Sequence, residues 1–257
     1  MPSATVVVEY EEDLALLLIN NPRRRNALSA PILANLQSAL IQAARDDSVG
    51  AVIIGSAIDG VFASGGNIRE LRALDGSTGG LHFAESAQTV FGTIESLPKP
   101  VVAAIDGYCL GAGAELIMAA DMRIASQRAV LASPQVGLGI TPGLGGGQRL
   151  LRLCGPGCAR RLILTAERVD AQEALRLGLV EAVVPSAELW QTAKAVAVRL
   201  ARKPRMAMML AKRMVNFASQ AGLLDGCAYE ATQFGLACAS GYLQQCALDF
   251  EGEGGCK

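Results

Sequence analysis

Two glycine clusters and one glutamate carry the chemistry that this sequence can offer. Phe62-Ala63-Ser64-Gly65-Gly66-Asn67-Ile68 follows an apolar run, and its glycines free the main chain to aim N–H groups at a bound atom. Gly111-Ala112-Gly113-Ala114-Glu115 reads as the start of a helix. First-turn amides have no acceptor within their helix and sit at the positive end of its dipole. Two such donors converging on one oxygen stabilise an enolate or a tetrahedral intermediate. Glu115 lies three residues beyond Ala112, on the same helix face, where a carboxylate can move protons beside a polarised carbonyl. A structural explanation stands beside this one. Glycine clusters at strand ends make tight turns, and the dipole alone favours an acid in a first turn.

Other chemistries find little material. His82 is the one histidine, which disfavours a Ser-His-Asp or Cys-His centre and most zinc sites. A lone helical histidine is more often structural or exposed, and His82 is expected on a helix after the first glycine cluster. The seven cysteines are an odd number without CxxC spacing and read as small buried hydrophobes, Cys109 lying nearest the glutamate. Arg23-Arg24-Arg25 suits either one phosphate cluster or a solvated loop.

The elements that must position these residues alternate along the chain. Thr5–Val8 and Leu14–Ile19 read as strands about an acidic turn, followed by a helix from Ser29 with Ile32, Leu33, Leu36, Leu40 and Ala43 on one face. Ala51–Ile54 is a buried strand, Val61–Asn67 a loop, and Ile68 the start of a helix. Pro100–Ile105 is a strand, Asp106–Gly111 a turn, Ala112–Ala120 a helix and Met122–Ala125 another strand, before the glycine-rich stretch 137–147. Such repetition implies crossovers and a largely parallel sheet. Ser186 is expected to cap a helix over Ala187–Arg202, and a second helix spans Arg205–Ala218. The close, Glu251-Gly252-Glu253-Gly254-Gly255, reads as a frayed tail.

Composition fits this picture. The 257 residues are 51% hydrophobic and 18% charged, enough apolar material for one large core. A net charge of −1 gives no basic footprint for nucleic acid, and no apolar run reaches membrane-spanning length. The acids within the apolar start argue against a signal peptide, so the expected compartment is the cytoplasm.

In order, the segments Asn20-Asn21-Pro22…Asn26-Ala27-Leu28, Phe62–Ile68, Lys99–Tyr108, Gly111–Leu116, Pro142-Gly143-Leu144-Gly145-Gly146-Gly147-Gln148-Arg149-Leu150 and Ala171…Val180 resemble the crotonase (enoyl-CoA hydratase/isomerase) superfamily. The match runs from about residue 14 to residue 185. It implies an α/β fold, a spiral of ββα units over 1–195, with a C-terminal helical region over 196–257. It also implies a homotrimer or a dimer of trimers. The substrate implied is an acyl-CoA thioester. Coenzyme A then enters as part of the substrate, and neither a metal nor a separate cofactor is needed. By motif position, the thioester oxygen would be held by the N–H groups of Gly66 and Ala112. Ser64, Gly66, Asn67, Ile68 and Arg69 would line the coenzyme A channel, and Arg24 or Arg25 would meet its phosphates.

Hydratases of this family use two glutamates, and the first matches Glu115. At the second position this chain reads Ser133-Pro134-Gln135-Val136, with no Asp or Glu from Ala132 to Leu151. An amide has no acidic proton to give. Three expectations follow: hydration by Glu115 alone with Gln135 orienting the water, double-bond isomerisation with one proton carrier, or a decarboxylase-like reaction driven by the oxyanion hole. A catalytically silent acyl-CoA-binding paralogue is the alternative from another class, though a pure binder has no evident need of Glu115.

Overall fold

Two sheets and their crossover helices bring the glycine clusters together. The computed structural model describes residues 4–244; the expected tail at 251–255, with Cys246 and Cys256, lies outside the described residues. In chain order come β1 (Thr5–Glu11), β2 (Leu14–Asn20), α1 (Ala30–Arg45), β3 (Ala51–Ser56), β4 (Val61–Ala63), α2 (Ile68–Arg72), α3 (Gly76–Ser96) and β5 (Val101–Ile105). Next are β6 (Tyr108–Leu110), α4 (Ala112–Ile117), β7 (Met122–Ser126) and β8 (Val130–Ala132). A short 3-10 helix, Pro134–Leu138, precedes α5 (Gly146–Thr165), β9 (Arg168–Asp170), α6 (Ala171–Arg176) and β10 (Ala182–Val184). Three helices follow, α7 (Leu189–Ala201), α8 (Arg205–Ala218) and α9 (Leu223–Ala239).

The larger sheet has the order β1-β2-β3-β5-β7-β10, parallel throughout except for the β1–β2 hairpin. Its inner strands β2, β3, β5 and β7 are buried on both faces, as continuous apolar runs require. Leu14, Leu16, Ile53, Val102 and Ile124 meet Leu189, Ala193 and Ala197 of α7 on one side. On this face Gly55 leaves room for Trp190, whose ring a Cβ would approach to 2.5 Å. The other side holds Leu17, Ile54, Ala103 and Ile105 against α1, α3 and the smaller sheet, with Leu36, Phe91 and Phe62 fully buried.

The smaller sheet, β4-β6-β8-β9, was not expected from the sequence. Val61–Ala63 and Tyr108–Leu110, read there as loop and turn, are paired parallel strands. Each has three residues, too few to show the alternation that marks a strand. Similarly, α3 opens on weak helix formers, Gly-Ser-Thr-Gly-Gly, yet turns Ala87, Val90, Phe91 and Ile94 onto the core. Ser186 does not cap a helix. It begins a single 3-10 turn, Ser186–Glu188, so α7 starts two residues late.

The smaller sheet places the site. β4, β6 and β8 are adjacent and parallel. Their C-terminal ends therefore deliver Ser64-Gly65-Gly66, Gly111-Ala112 and Ser133-Pro134-Gln135 to one edge, the usual location of a ligand crevice in parallel sheets.

Candidate active site

Main-chain pairing beside β4 leaves one amide unused. Leu28 N–H donates to Gly65 O at 2.8 Å and Asn67 N–H to Leu28 O at 3.1 Å, so the N–H of Gly66 between them is outside the ladder. Asn26 fixes this crossing, although its part was not legible in the sequence. It is fully buried in the left-handed region, φ 54°, and its Nδ2 donates to Ile19 O at 3.0 Å and Phe62 O at 3.1 Å. Its Oδ1 accepts from Asn21 N–H at 2.7 Å.

Gly111 makes the turn from β6 into α4 at φ 51° and ψ −117°, a conformation closed to residues with a Cβ. Its N–H donates to Ala132 O at 2.9 Å, and Ala112 becomes the first residue of α4. Like Gly66, Ala112 has an N–H that enters no hydrogen bond among the described residues. Gly113 lets α4 lie against β4, since a Cβ there would come to 2.6 Å from that of Ala63.

Glu115 projects from this helix and is 2% exposed. Its Oε2 accepts from Leu144 N–H at 2.9 Å and from Gly146 N–H at 2.8 Å. Its Oε1 accepts from Gln135 Nε2 at 2.9 Å. Burial pushes the carboxyl above the ordinary glutamate value, and the main-chain and amide donors pull it partly back. Gln135 is itself 6% exposed, and its Oε1 has no hydrogen-bond partner among the described residues. The amide orientation is set by charge: the reverse one would face oxygen to carboxylate oxygen.

The turn that holds Glu115 is shaped for it. Gly145 stands at φ 87°, and a Cβ on Gly146 would come within 2.1 Å of Glu115 Cγ. Arg149 donates to Leu144 O at 3.2 Å and is gripped by both carboxylate oxygens of Glu95 at 2.7 Å each. The motif Pro142–Leu150 was visible in the sequence, but its pairing with Glu115 spans some thirty residues and has no local signature.

A cavity of about 550 Å3 opens over these groups. Ser64, Gly66, Ala112, Glu115 and Gln135 form its polar wall, while Leu71, Leu74, Phe83, Leu138 and Ile140 form the apolar one. Ile68 lines it too, half-exposed at the mouth. The side chain of Asn67 turns elsewhere, accepting from Arg69 N–H at 3.2 Å and donating to Glu70 at 2.8 Å, and neither Asn67 nor Arg69 lines the cavity. Arg24 and Arg25 have exposed side chains, and their carbonyls accept from the hydroxyl and N–H of Ser64 at 3.1 and 3.0 Å. That loop is thus fastened to the cavity's rim. His82 is exposed on α3 and is not part of the lining. Cys109 is buried, which pushes its thiol far above the range of a nucleophile, and Cys227, against expectation, is exposed. No group of His, Cys, Asp and Glu among the described residues is arranged to hold a metal ion.

Known proteins share this arrangement of chain. The family model described as Enoyl-CoA hydratase/isomerase matches residues 9–250. A short-chain-enoyl-CoA hydratase of Clostridium acetobutylicum is 40% identical over 230 residues, covering 90% of this chain and 88% of its own. A crotonyl-CoA hydratase of Syntrophomonas wolfei is 40% identical over 240 residues, covering 93% and 92%. The crystal structure of an enoyl-CoA hydratase from Bacillus anthracis superimposes with a TM-score of 0.85 at 33% identity, over 93% of this chain and 96% of that one. The parallel-sheet spiral with helical C-terminus is therefore the crotonase fold, and the chain belongs to the enoyl-CoA hydratase/isomerase family as a hydratase-like enzyme.

Proposed function

We propose that the chain adds water across the α,β double bond of an enoyl-CoA thioester, with Glu115 as its single proton-transferring group. The observation that carries this reading is the buried carboxyl of Glu115 on the cavity wall, held by Gln135 Nε2 at 2.9 Å and by two main-chain N–H groups; a water seated against it in the cavity would donate to the carboxylate. Gly66 and Ala112 line the same cavity, and their N–H groups, which enter no hydrogen bond among the described residues, would hold the thioester oxygen.

The steps balance with one carboxylate. The water oxygen bonds to C3 while Glu115 takes a water proton, and the π electrons move onto the thioester oxygen as an enolate. Gly66 and Ala112 stabilise that enolate until Glu115 returns the proton to C2, giving a 3-hydroxyacyl-CoA. Gln135 orients Glu115 by donating to it and never supplies a proton. Arg24 or Arg25, on the loop tied to Ser64, would meet the coenzyme A phosphates, with Ser64, Gly66 and Ile68 lining the channel.

Incubation with crotonyl-CoA in D2O tests the reading. Loss of the enoyl absorbance with one deuterium on the carbon next to the thioester is the expected result. The neutral Gln135 favours one second reading, migration of the double bond, which needs only one proton carrier. Exchange or isomerisation of a 3-enoyl-CoA without net hydration would select it. Tight CoA-ester binding with silence in both channels would leave a binding protein.

A further inference from the structure

We infer that Gln88, on α3, is a positioning residue for Glu115, acting through the turn 143–146. Gln88 lies one helical turn beyond Ala84, which lines the cavity. Its Nε2 donates to Gly143 O at 2.7 Å across 55 residues of sequence. The same peptide unit supplies the Leu144 N–H, and a later one the Gly146 N–H, that hold Glu115 Oε2. A second tie from the same helix, Glu95 to Arg149 to Leu144 O, grips the turn from its other side.

Apart from the buried Leu144 side chain, the turn has little else to hold it. Its residues Gly143, Gly145 and Gly146 have no side chains to pack, and Thr141 and Gly143 are not fully buried. Glycines carry the largest conformational entropy in a free loop, so an ordered Gly-rich turn depends on its hydrogen bonds. With Gly143 O released, the two N–H donors would spend less time on Glu115. The polar groups bearing on that carboxyl are the amides of residues 143, 144 and 146 and the Gln135 side chain, with no charged side chain among them. Weaker donation therefore leaves burial less opposed and makes the carboxyl a weaker acid.

This inference rests on Glu115 being the proton carrier, and the test separates the two. Gln88 is exposed, so Gln88→Ala and the nearly isosteric Gln88→Met should both fold. The measurement is kcat and KM against pH with crotonyl-CoA, alongside Glu115→Gln. Expected for both Gln88 variants are a fall in kcat of about 10-fold or more, a KM within about twofold of the wild type, and an acidic limb displaced upward by about half a unit or more. Wild-type kcat and limb in Gln88→Met would overturn the inference, as would a fall in kcat with an unmoved limb. Full turnover in Glu115→Gln would instead remove the proton-carrier reading itself.

Discussion

Gln135 Nε2 donates to Glu115 Oε1 at 2.9 Å, which puts a neutral amide against the carboxylate at the position where the family resemblance implies a second glutamate. The contact has two effects. It favours the ionised form of Glu115, and it orients the amide so that Gln135 Oε1 is left as a bare acceptor.

The acidic limb of kcat/KM should report Glu115. Burial raises its pKa above the ordinary 4.5 by more than its donors lower it. Below that raised value the carboxyl is protonated and cannot take a proton from water. Activity should therefore rise with pH through an apparent pKa above 4.5, and Glu115→Gln should lower kcat by roughly 10²–10⁴-fold while CoA-ester affinity stays within a few-fold. A limb at or below the ordinary glutamate value would contradict the burial argument.

Gln135→Glu should speed hydration and complicate its pH profile. Two carboxyls in direct contact cannot both ionise readily, so they would share a proton and titrate as a pair. The shared proton is one that can be delivered to C2, and kcat with crotonyl-CoA should rise about 10²-fold, with a second, alkaline limb in the profile. An unchanged rate would mean that the pocket is built for another acyl group or another reaction.

Gly146→Ala tests the seat of the carboxyl from the other side. The new Cβ would stand 2.1 Å from Glu115 Cγ, so either the turn or the glutamate must move. The expected cost is a kcat loss of about 10²-fold, from a displacement near 1 Å, together with about 1–3 kcal/mol of stability. Stopped-flow turnover and urea melts measure the two. Wild-type turnover would show that Glu115 need not sit where it does.

The order of motifs made the family and the acid legible, because Gly111–Glu115 and Phe62–Ile68 are local runs whose chemistry can be read directly. What held Glu115 in place was not legible. Leu144, Gly146 and Gln135 reach it from 20 to 31 residues away, two of them through main-chain N–H groups that any residue but proline carries. The smaller sheet was missed for a related reason. Its three-residue strands owe their existence to neighbours that are distant in sequence, such as Val130 beside Tyr108. Asn26 shows the same limit, since its four donations from Nδ2 converge from positions 19, 56, 61 and 62.

Assembly should follow from α9. Leu223 and Leu224 are 83% and 85% exposed in the isolated chain, and Phe234 is 68% exposed on the same helix. Apolar surface of that size on one helix calls for a partner, and the family resemblance makes the partner further copies of the chain. Sedimentation equilibrium should give a trimer or a hexamer, and Leu224→Glu with Phe234→Glu should shift the mass toward the monomer. A wild-type monomer at micromolar concentration would overturn this.

Lys212 should prove to be the main tie between α8 and the core. Its ammonium is buried and donates to Ile94 O at 2.9 Å, Lys99 O at 3.1 Å and Asp121 Oδ2 at 2.7 Å, joining the end of α3 to the segments that enter β5 and β7. Burial lowers the Lys212 pKa and raises that of Asp121, and each opposes the other's shift. Removing one partner strands the other as a buried charge. Lys212→Met should therefore cost about 3–5 kcal/mol in urea unfolding. Adding Asp121→Asn should restore part of the loss, because the stranded carboxylate is then gone and the Asn side chain still faces Val101 N–H, which bonds Asp121 at 2.7 Å. Strict additivity of the two substitutions would show that the ion pair contributes nothing to holding α8.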